Sequence, residues 1–478
     1  MLLLRRTQAW HNSLTIILKK NKIYAIYREL SKRKWQKLSQ ESKNTAENRS
    51  ETSEKTAKNR DKTSKKSQKK LRFELDHSAK FYPIMSTKKA QSLFRISAIM
   101  TEEVDKDKLQ IALNDVLPRF EAYRVRLKKG YAWHFFEYND APCKVFAEET
   151  LLKPINPADT NGYWFRVSAL GNKIVLEIFH ALADGNGALA FLKSIVKRYR
   201  EVLGVNVEDE GVIDWQSQPH QEEIEDSFEK NYKPISLGQM NLKALAGKVP
   251  HRIKGTLSKD GYAVSEGVAE AQDVLKKAKE IGVSFTAYIA GILAYSIEKT
   301  CKNKLPIAVM IPVNLRALYP SKTMRNFVTF VRIILAPNEC KSIEECAKET
   351  QRQLKILSAK DKLDAFISTT VKAQKNWILK VVPLFLKTAI LRMGRVFMRS
   401  RQTIIFSNLG NVTSPQCMGV ERYALNMNVS KNNTQNLGAI TTNGKTTLAF
   451  TRAIKETLLP ETFFEELQKQ NIAVKTNG

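Results

Sequence analysis

A chain of 478 residues exceeds one ordinary hydrophobic core, and two or more domains are expected. Its apolar fraction of 43% excludes a mainly disordered protein, and no apolar run approaches the roughly 18–20 residues of a spanning helix. The formal net charge of +30 asks for an anionic partner: a phosphate-bearing cofactor, an acidic carrier protein, anionic lipid or nucleic acid.

Residues 1–70 hold 20 Lys or Arg against 6 Asp or Glu and are set apart as a basic extension. Within it, residues 1–37 read as a basic helix interleaved with Trp10, Tyr24, Tyr27 and Trp35, which suits either a solvated extension or peripheral contact with an anionic membrane. Residues 38–70 are almost free of apolar side chains and are expected to be disordered. Nucleic-acid binding is disfavoured, because no basic or aromatic motif of a known module is present. Arginines follow Met1–Leu4, the reverse of a secretory signal's charge order. Five cysteines without zinc-like spacing argue against a disulfide framework, and Cys340 and Cys346 read as buried or inert. A cytoplasmic monomer, free or peripheral at the membrane surface, is the resulting expectation.

A first lobe is expected over 71–232. Leu93–Met100 reads as a strand, and Lys106–Val116 as a helix with Leu109, Ala112, Leu113 and Val116 inward. A hairpin is expected around Lys128-Lys129-Gly130, and Trp164–Leu170 should pair with Lys173–Phe179 across Gly171-Asn172. The acidic run Gln216–Asp226 reads as a surface linker. A second lobe is expected over 233–478, with helices at Val268–Glu280, Ala287–Lys299 and Ile343–Leu357 and strands at Leu305–Val313 and Phe327–Leu335. Residues 372–401 combine apolar and basic side chains, which suits either a core helix with snorkelling lysines or a lipid-facing, acceptor-entry helix. Strands at Thr403–Ser407 and Thr446–Thr451 precede a final helix opened by Pro460. Strands and helices do not alternate strictly, so an α+β fold is favoured over a doubly wound sheet.

Chemistry concentrates at Lys173–Asn186, KIVLEIFHALADGN. A buried strand ends at His180, a glycine-containing loop follows from Asp184, and an apolar stripe of Leu192, Ile195, Val196 and Tyr199 marks the next helix. Histidine has a pKa suited to general-base work, and the strand would fix its position. No G-x-S-x-G elbow or reactive-looking cysteine supplies a nucleophile, so direct attack by an activated acceptor fits better than an acyl-enzyme. Asp184 is then structural, and Arg316, which also follows a buried strand, is its natural partner. The remaining histidines, at 11, 77, 134, 220 and 251, read as structural.

His180-Ala-Leu-Ala-Asp184-Gly185, Pro312-Val-Asn-Leu-Arg316 with Asn326-Phe327, and Ser407-Asn408-Leu409-Gly410 occur in that order. With Asp76-His-Ser-Ala-Lys-Phe-Tyr-Pro83, they make residues 72–474 resemble the chloramphenicol-acetyltransferase-like and condensation-domain superfamily, in its alcohol acetyltransferase branch. The resemblance implies two such lobes in a V-shaped pseudo-dimer with His180 at the middle of a tunnel between them. It implies acyl transfer from a thioester, usually acyl-CoA as a co-substrate rather than a tightly bound cofactor, to an acceptor hydroxyl. Gly185 would offer its N–H to the oxyanion, Asp184 and Arg316 would be structural, and Asn326 and Asn408, with Ser407 beside them, would shape the tunnel wall. No metal is implied. Phe179 stands where peptide-forming condensation domains carry a second histidine, and D-F-G-W-G is absent, which leaves the choice between CoA and an acyl carrier protein open. The alternatives are N-acylation or carrier-dependent condensation, a catalytically silent binding protein, and a basic adaptor driven by residues 1–70.

Overall fold

The computed structural model describes residues 72–477, apart from 88–89, 148–150, 208–210, 235–248, 260, 301–304, 338 and 399–400. The expectations for residues 1–70 lie outside the described residues. In chain order the first strands are β1 (Arg72–Glu74), β2 (Leu93–Met100), β3 (Val125–Lys129), β4 (His134–Tyr138), β5 (Val145–Phe146), β6 (Phe165–Leu170) and β7 (Lys173–Phe179). After a helical stretch come β8 (Ala263–Glu270), β9 (Ile307–Asn314), β10 (Val328–Leu335) and β11 (Ile404–Asn411). The chain closes with β12 (Val420–Met427), β13 (Gln435–Thr442), β14 (Lys445–Arg452) and β15 (Val474–Asn477).

Among the described residues these strands form a five-stranded sheet in the order β12-β2-β7-β6-β5, a seven-stranded sheet in the order β10-β9-β11-β13-β14-β8-β15, and a small sheet β1-β4-β3. Both large sheets mix parallel and antiparallel pairs and carry helices, so the α+β expectation holds. β7 sits inside the first sheet and is buried on both faces. Ile174, Leu176 and Ile178 join the core, while on the other face Glu177 is gripped by Arg95 and Arg166. The helix Gly185–Val202 follows it and packs with Lys106–Val116, its apolar stripe covering the core. In the second sheet's half, Phe285–Thr300 is buried on nearly all sides, and Ser284 Oγ accepts the Ala287 N–H at its start.

Several expectations change. The helix expected over Val268–Glu280 is present from Ala271 to Glu280, and only its first three residues belong instead to a strand, β8, that the sequence reading missed. The buried positions of β8 are Gly267 and Ala269, too small to show the usual apolar alternation, and Phe464 and Val474 fill the space over Gly267. Strands β12, β13 and β15 were not legible; β13 buries Gln435 and Asn436 among its apolar residues, which blurs its period. The hairpin is present, but Lys128 and Lys129 belong to β3, so its turn is 130–133 and not Lys128-Lys129-Gly130. The acidic run is no simple surface linker, because Glu223 is buried and paired with Arg119 at 2.6 Å. Cys340 and Cys346 are joined in a disulfide. Cys340 lies before the helix rather than on it, and the turn capped by Ser342 brings the two sulfurs together. No single helix among the described residues is long and apolar enough to cross a membrane.

Candidate active site

β7 carries the chain into the site. Its last pairing is followed at once by His180, whose N–H donates to the Ser92 carbonyl at 2.9 Å and keeps the residue in line with the sheet. The turn Ala181-Leu182-Ala183 is fully packed, and the helix begins at Gly185, one residue after Asp184. Asp184 is thus an N-cap and not part of a free loop. Its Oδ1 accepts from the N–H groups of Asn186 and Gly187, each at 3.1 Å. Its Oδ2 accepts from Arg316 Nη1 at 2.7 Å and from the Phe327 N–H at 2.8 Å.

Four donors on one buried carboxylate leave no lone pair for the imidazole. Asp184 ties the helix start to the segment 314–327, as Arg316 in turn donates to the carbonyls of Thr323 and Arg325 at 2.9 and 2.7 Å. The sequence-derived pairing of Asp184 with Arg316 is therefore present in the structure. The same approach explains Gly187: a Cβ there would lie 2.1 Å from the Met324 carbonyl oxygen. Gly185 is the first helical residue, so its N–H has no carbonyl one turn back, and Gly185 lines the cavity beside His180.

The imidazole is oriented from another direction. His180 Nδ1 lies 3.1 Å from Asn326 Oδ1. Asn326 is completely buried, and its Nδ2 and backbone N–H both point to Asp76 Oδ2 at 3.3 Å. A carboxylate can only accept, so the Asn326 amide is oriented with its NH2 toward Asp76 and its oxygen toward the ring. That assigns the proton of neutral His180 to Nδ1 and leaves the Nε2 lone pair free. Tyr82 stacks on the ring at 4.6 Å between centroids and 12° between planes, and Phe94 closes the other side at 4.9 Å. Burial pushes the His180 pKa below its ordinary 6.5, against the pull of the Asn326 hydrogen bond and the Asp184 charge. Burial and the charge of Asp226 push the Asp76 carboxyl up to about 6, with Arg325 opposing.

His180, Gly185, Ser407 and Asn408 line a cavity of about 360 Å³ with walls from both large sheets, among them Phe94 and Leu425 on one side and Ile405 on the other. Asn408 is fixed there by its Nδ2, which donates to Thr286 Oγ1 at 3.1 Å, and by its Oδ1, which accepts the Gly410 N–H at 2.9 Å. Asn326, expected on the same wall, is not part of it. It stands behind the ring because the segment that supplies Arg316 and Phe327 is pulled inward by Asp184. A larger cavity of about 1200 Å³ adjoins the first: Gln91 lines both, and Phe179, next to His180 in the chain, lines the larger one. Sequence reasoning gave no role to Asp76 or Tyr82, although both fall in the singled-out stretch Asp76–Pro83. Of the other histidines, His77 Nδ1 meets Asp226 Oδ2 at 2.5 Å, while His134 lines the larger cavity with its buried Nδ1 unpartnered among the described residues, and burial pushes its pKa down to about 4.

No protein-family model and no curated protein matches the sequence. Solved structures do. Polyketide synthase associated protein 5 from Mycobacterium tuberculosis superposes with a TM-score of 0.54 at 13% identity, over 82% of this chain and 96% of that one. A trichothecene 15-O-acetyltransferase from Fusarium sporotrichioides gives 0.55 at 11% identity, over 83% and 93%. A nonribosomal peptide synthetase cyclization-docking bidomain from Sorangium cellulosum gives 0.56 at 11%, over 84% of each chain. The fold is the chloramphenicol-acetyltransferase-like, condensation-domain fold. In that fold, the strand and cap around His180 fall where both large sheets contribute walls to one cavity. At these identities the likeness speaks for the fold alone.

Proposed function

We propose that this protein is an acyltransferase that moves an acyl group from a thioester, acyl-CoA being the expected donor, to an acceptor hydroxyl. Its two lobes are built on residues 71–232 and 233–478, with β12 of the second stretch crossing back to complete the sheet of the first. His180 Nε2 takes the proton as the acceptor oxygen attacks the thioester carbonyl, and the C–O bond forms. The tetrahedral intermediate collapses, the C–S bond breaks, and the imidazolium returns the proton to the thiolate as it leaves. The carbonyl oxygen, negative in the intermediate, needs a fixed donor, and the Gly185 N–H, with Ser407 and Asn408 on the facing wall, is the available set. No covalent acyl-enzyme is required.

The observation that carries this reading is the imidazole itself: held by Asn326 through Nδ1, stacked on Tyr82, and lining a cavity with Nε2 uncommitted. His77, by contrast, has both ring nitrogens paired with carboxylates, Asp226 and Glu229. Carrier-delivered acyl groups or an amine acceptor fit the same geometry, and the peptide synthetase and polyketide-associated neighbours favour keeping that second reading. Thiol release from a panel of acyl-CoAs and alcohols tests the proposal. His180→Ala should lower the rate by about 10² or more, the range expected for a lost general base. Equal release by both proteins would remove His180 from the chemistry.

A further inference from the structure

The helices Trp377–Val381 and Leu384–Met398 form a surface that the cavity chemistry does not use. Their inner side is well anchored. The Leu384 N–H donates to the Tyr131 carbonyl at 2.7 Å, Lys387 Nζ donates to the Ala132 carbonyl at 2.6 Å, and Arg392 Nη2 to the Ser86 carbonyl at 2.7 Å. Their outer side is apolar and bare: Trp377 is 71% exposed, Phe385 76%, Ile390 50%, with Val381 and Leu386 also exposed. Tyr131 stands beside them, 71% exposed. A soluble protein seldom leaves so many large apolar side chains in water on adjoining turns without a use for them.

Charge says what would cover this face. The sequence has no Asp or Glu between Asp364 and Glu421, while residues 372–401 supply eight Lys or Arg. Lys375 is already paired with Glu229, but Lys380 is exposed on the same short helix as Trp377 and has no ion-pair partner among the described residues. Tryptophan and leucine-type side chains flanked by an exposed, unpaired lysine match the boundary between acyl chains and anionic headgroups. An acidic carrier protein would answer the charge but not the row of projecting apolar side chains. The face also borders the larger cavity: Tyr131, Leu384, Phe385, Thr388 and Arg392 line the cavity of about 1200 Å³ that meets the His180 cavity at Gln91.

We infer that this face rests on an anionic phospholipid bilayer and that the larger cavity takes an acyl acceptor carried on a lipid directly from it. The inference rests on the acyltransferase reading only for the word acceptor; the docking stands or falls by itself. The test uses the full chain with phosphatidylcholine vesicles, with and without phosphatidylglycerol, by co-sedimentation. The triple variant Trp377→Ser, Leu386→Ser, Ile390→Ser replaces none of the cavity-lining residues. It should bind the phosphatidylglycerol vesicles at least about tenfold more weakly than wild type, while thiol release with a short soluble alcohol is retained. Quenching by bromine-labelled lipid should fall in Trp377→Phe relative to wild type, by the share that Trp377 contributes. Lys380→Glu should weaken binding, and added salt should do the same. Unchanged binding by the triple variant, equal binding to neutral vesicles, or saturable capture of an acyl carrier protein without vesicle binding would overturn the inference. If wild type releases no thiol with any acceptor yet the triple variant loses vesicle binding, the acyltransferase reading fails and the docking face stands.

Discussion

One imidazole with a fixed tautomer is the smallest unit on which the chemistry depends, and its control comes from an unexpected neighbour. Asp76 reaches His180 only through the Asn326 amide, so it is a positioning residue. While Asp76 is ionised, it accepts from the amide NH2 and holds the oxygen toward Nδ1. Once protonated, it can donate to the amide oxygen, which allows the flipped amide and the wrong tautomer. Turnover should therefore be flat through neutral pH and fall below about 6, where Asp76 takes a proton. His180, held below 6.5, loses its base form in the same direction. Asp76→Asn should lower kcat and move the acid limb downward; a pH–rate profile with an unmoved limb would free Asp76 from this role. The stability sign follows from linkage. The folded pKa of about 6 exceeds the ordinary 3.8, so the Asp76 contribution is fully present below the unfolded value and is lost as pH rises through 6. Wild type should gain stability relative to Asp76→Asn between pH 7 and 4, measurable by denaturant titration.

The helix Gly185–Val202 and the segment 314–327 are joined by a single carboxylate. Asp184 caps the helix, accepts from Phe327 and pairs with Arg316, while Gly187 lets the Met324 carbonyl approach. Asp184→Asn would leave the poorly exposed Arg316 guanidinium without its counter-charge, and breaking a buried pair costs about 3–5 kcal/mol. The expected result is a lower urea midpoint with thiol release lost in step. A variant as stable as wild type but inactive would instead give Asp184 a direct part in the chemistry. At this scale the sequence was readable where the pattern was strong. Lys106–Val116 and Ile343–Leu357 coincide with their expected bounds because their apolar stripes are regular and their starts are capped by Asp105 and Ser342. β8 was misread because its buried positions are glycine and alanine.

Across the whole molecule, the two large sheets are not cut cleanly from one another along the chain. β12, from the far end, pairs with β2 and completes the sheet that carries His180. That return strand and the Asp184–Arg316 tie make both halves share one cavity wall. Deletion of residues 1–70 should leave thiol release unchanged if those sheets hold the activity; loss of turnover with intact folding would favour the adaptor alternative. Taken alone, the sequence determined the α+β class, the strand-to-helix junction at His180, and the choice of Arg316 as partner for Asp184. Those follow from short-range periodicity, capping and the requirement that a buried charge be neutralised. Tertiary structure decided the rest: Asn326 behind the ring, Asp76 behind Asn326, Cys340 bonded to Cys346, and an apolar basic face beside the larger cavity. Asp76 and Asn326 are 250 residues apart, and no local pattern encodes a hydrogen bond that only the closing of distant segments creates.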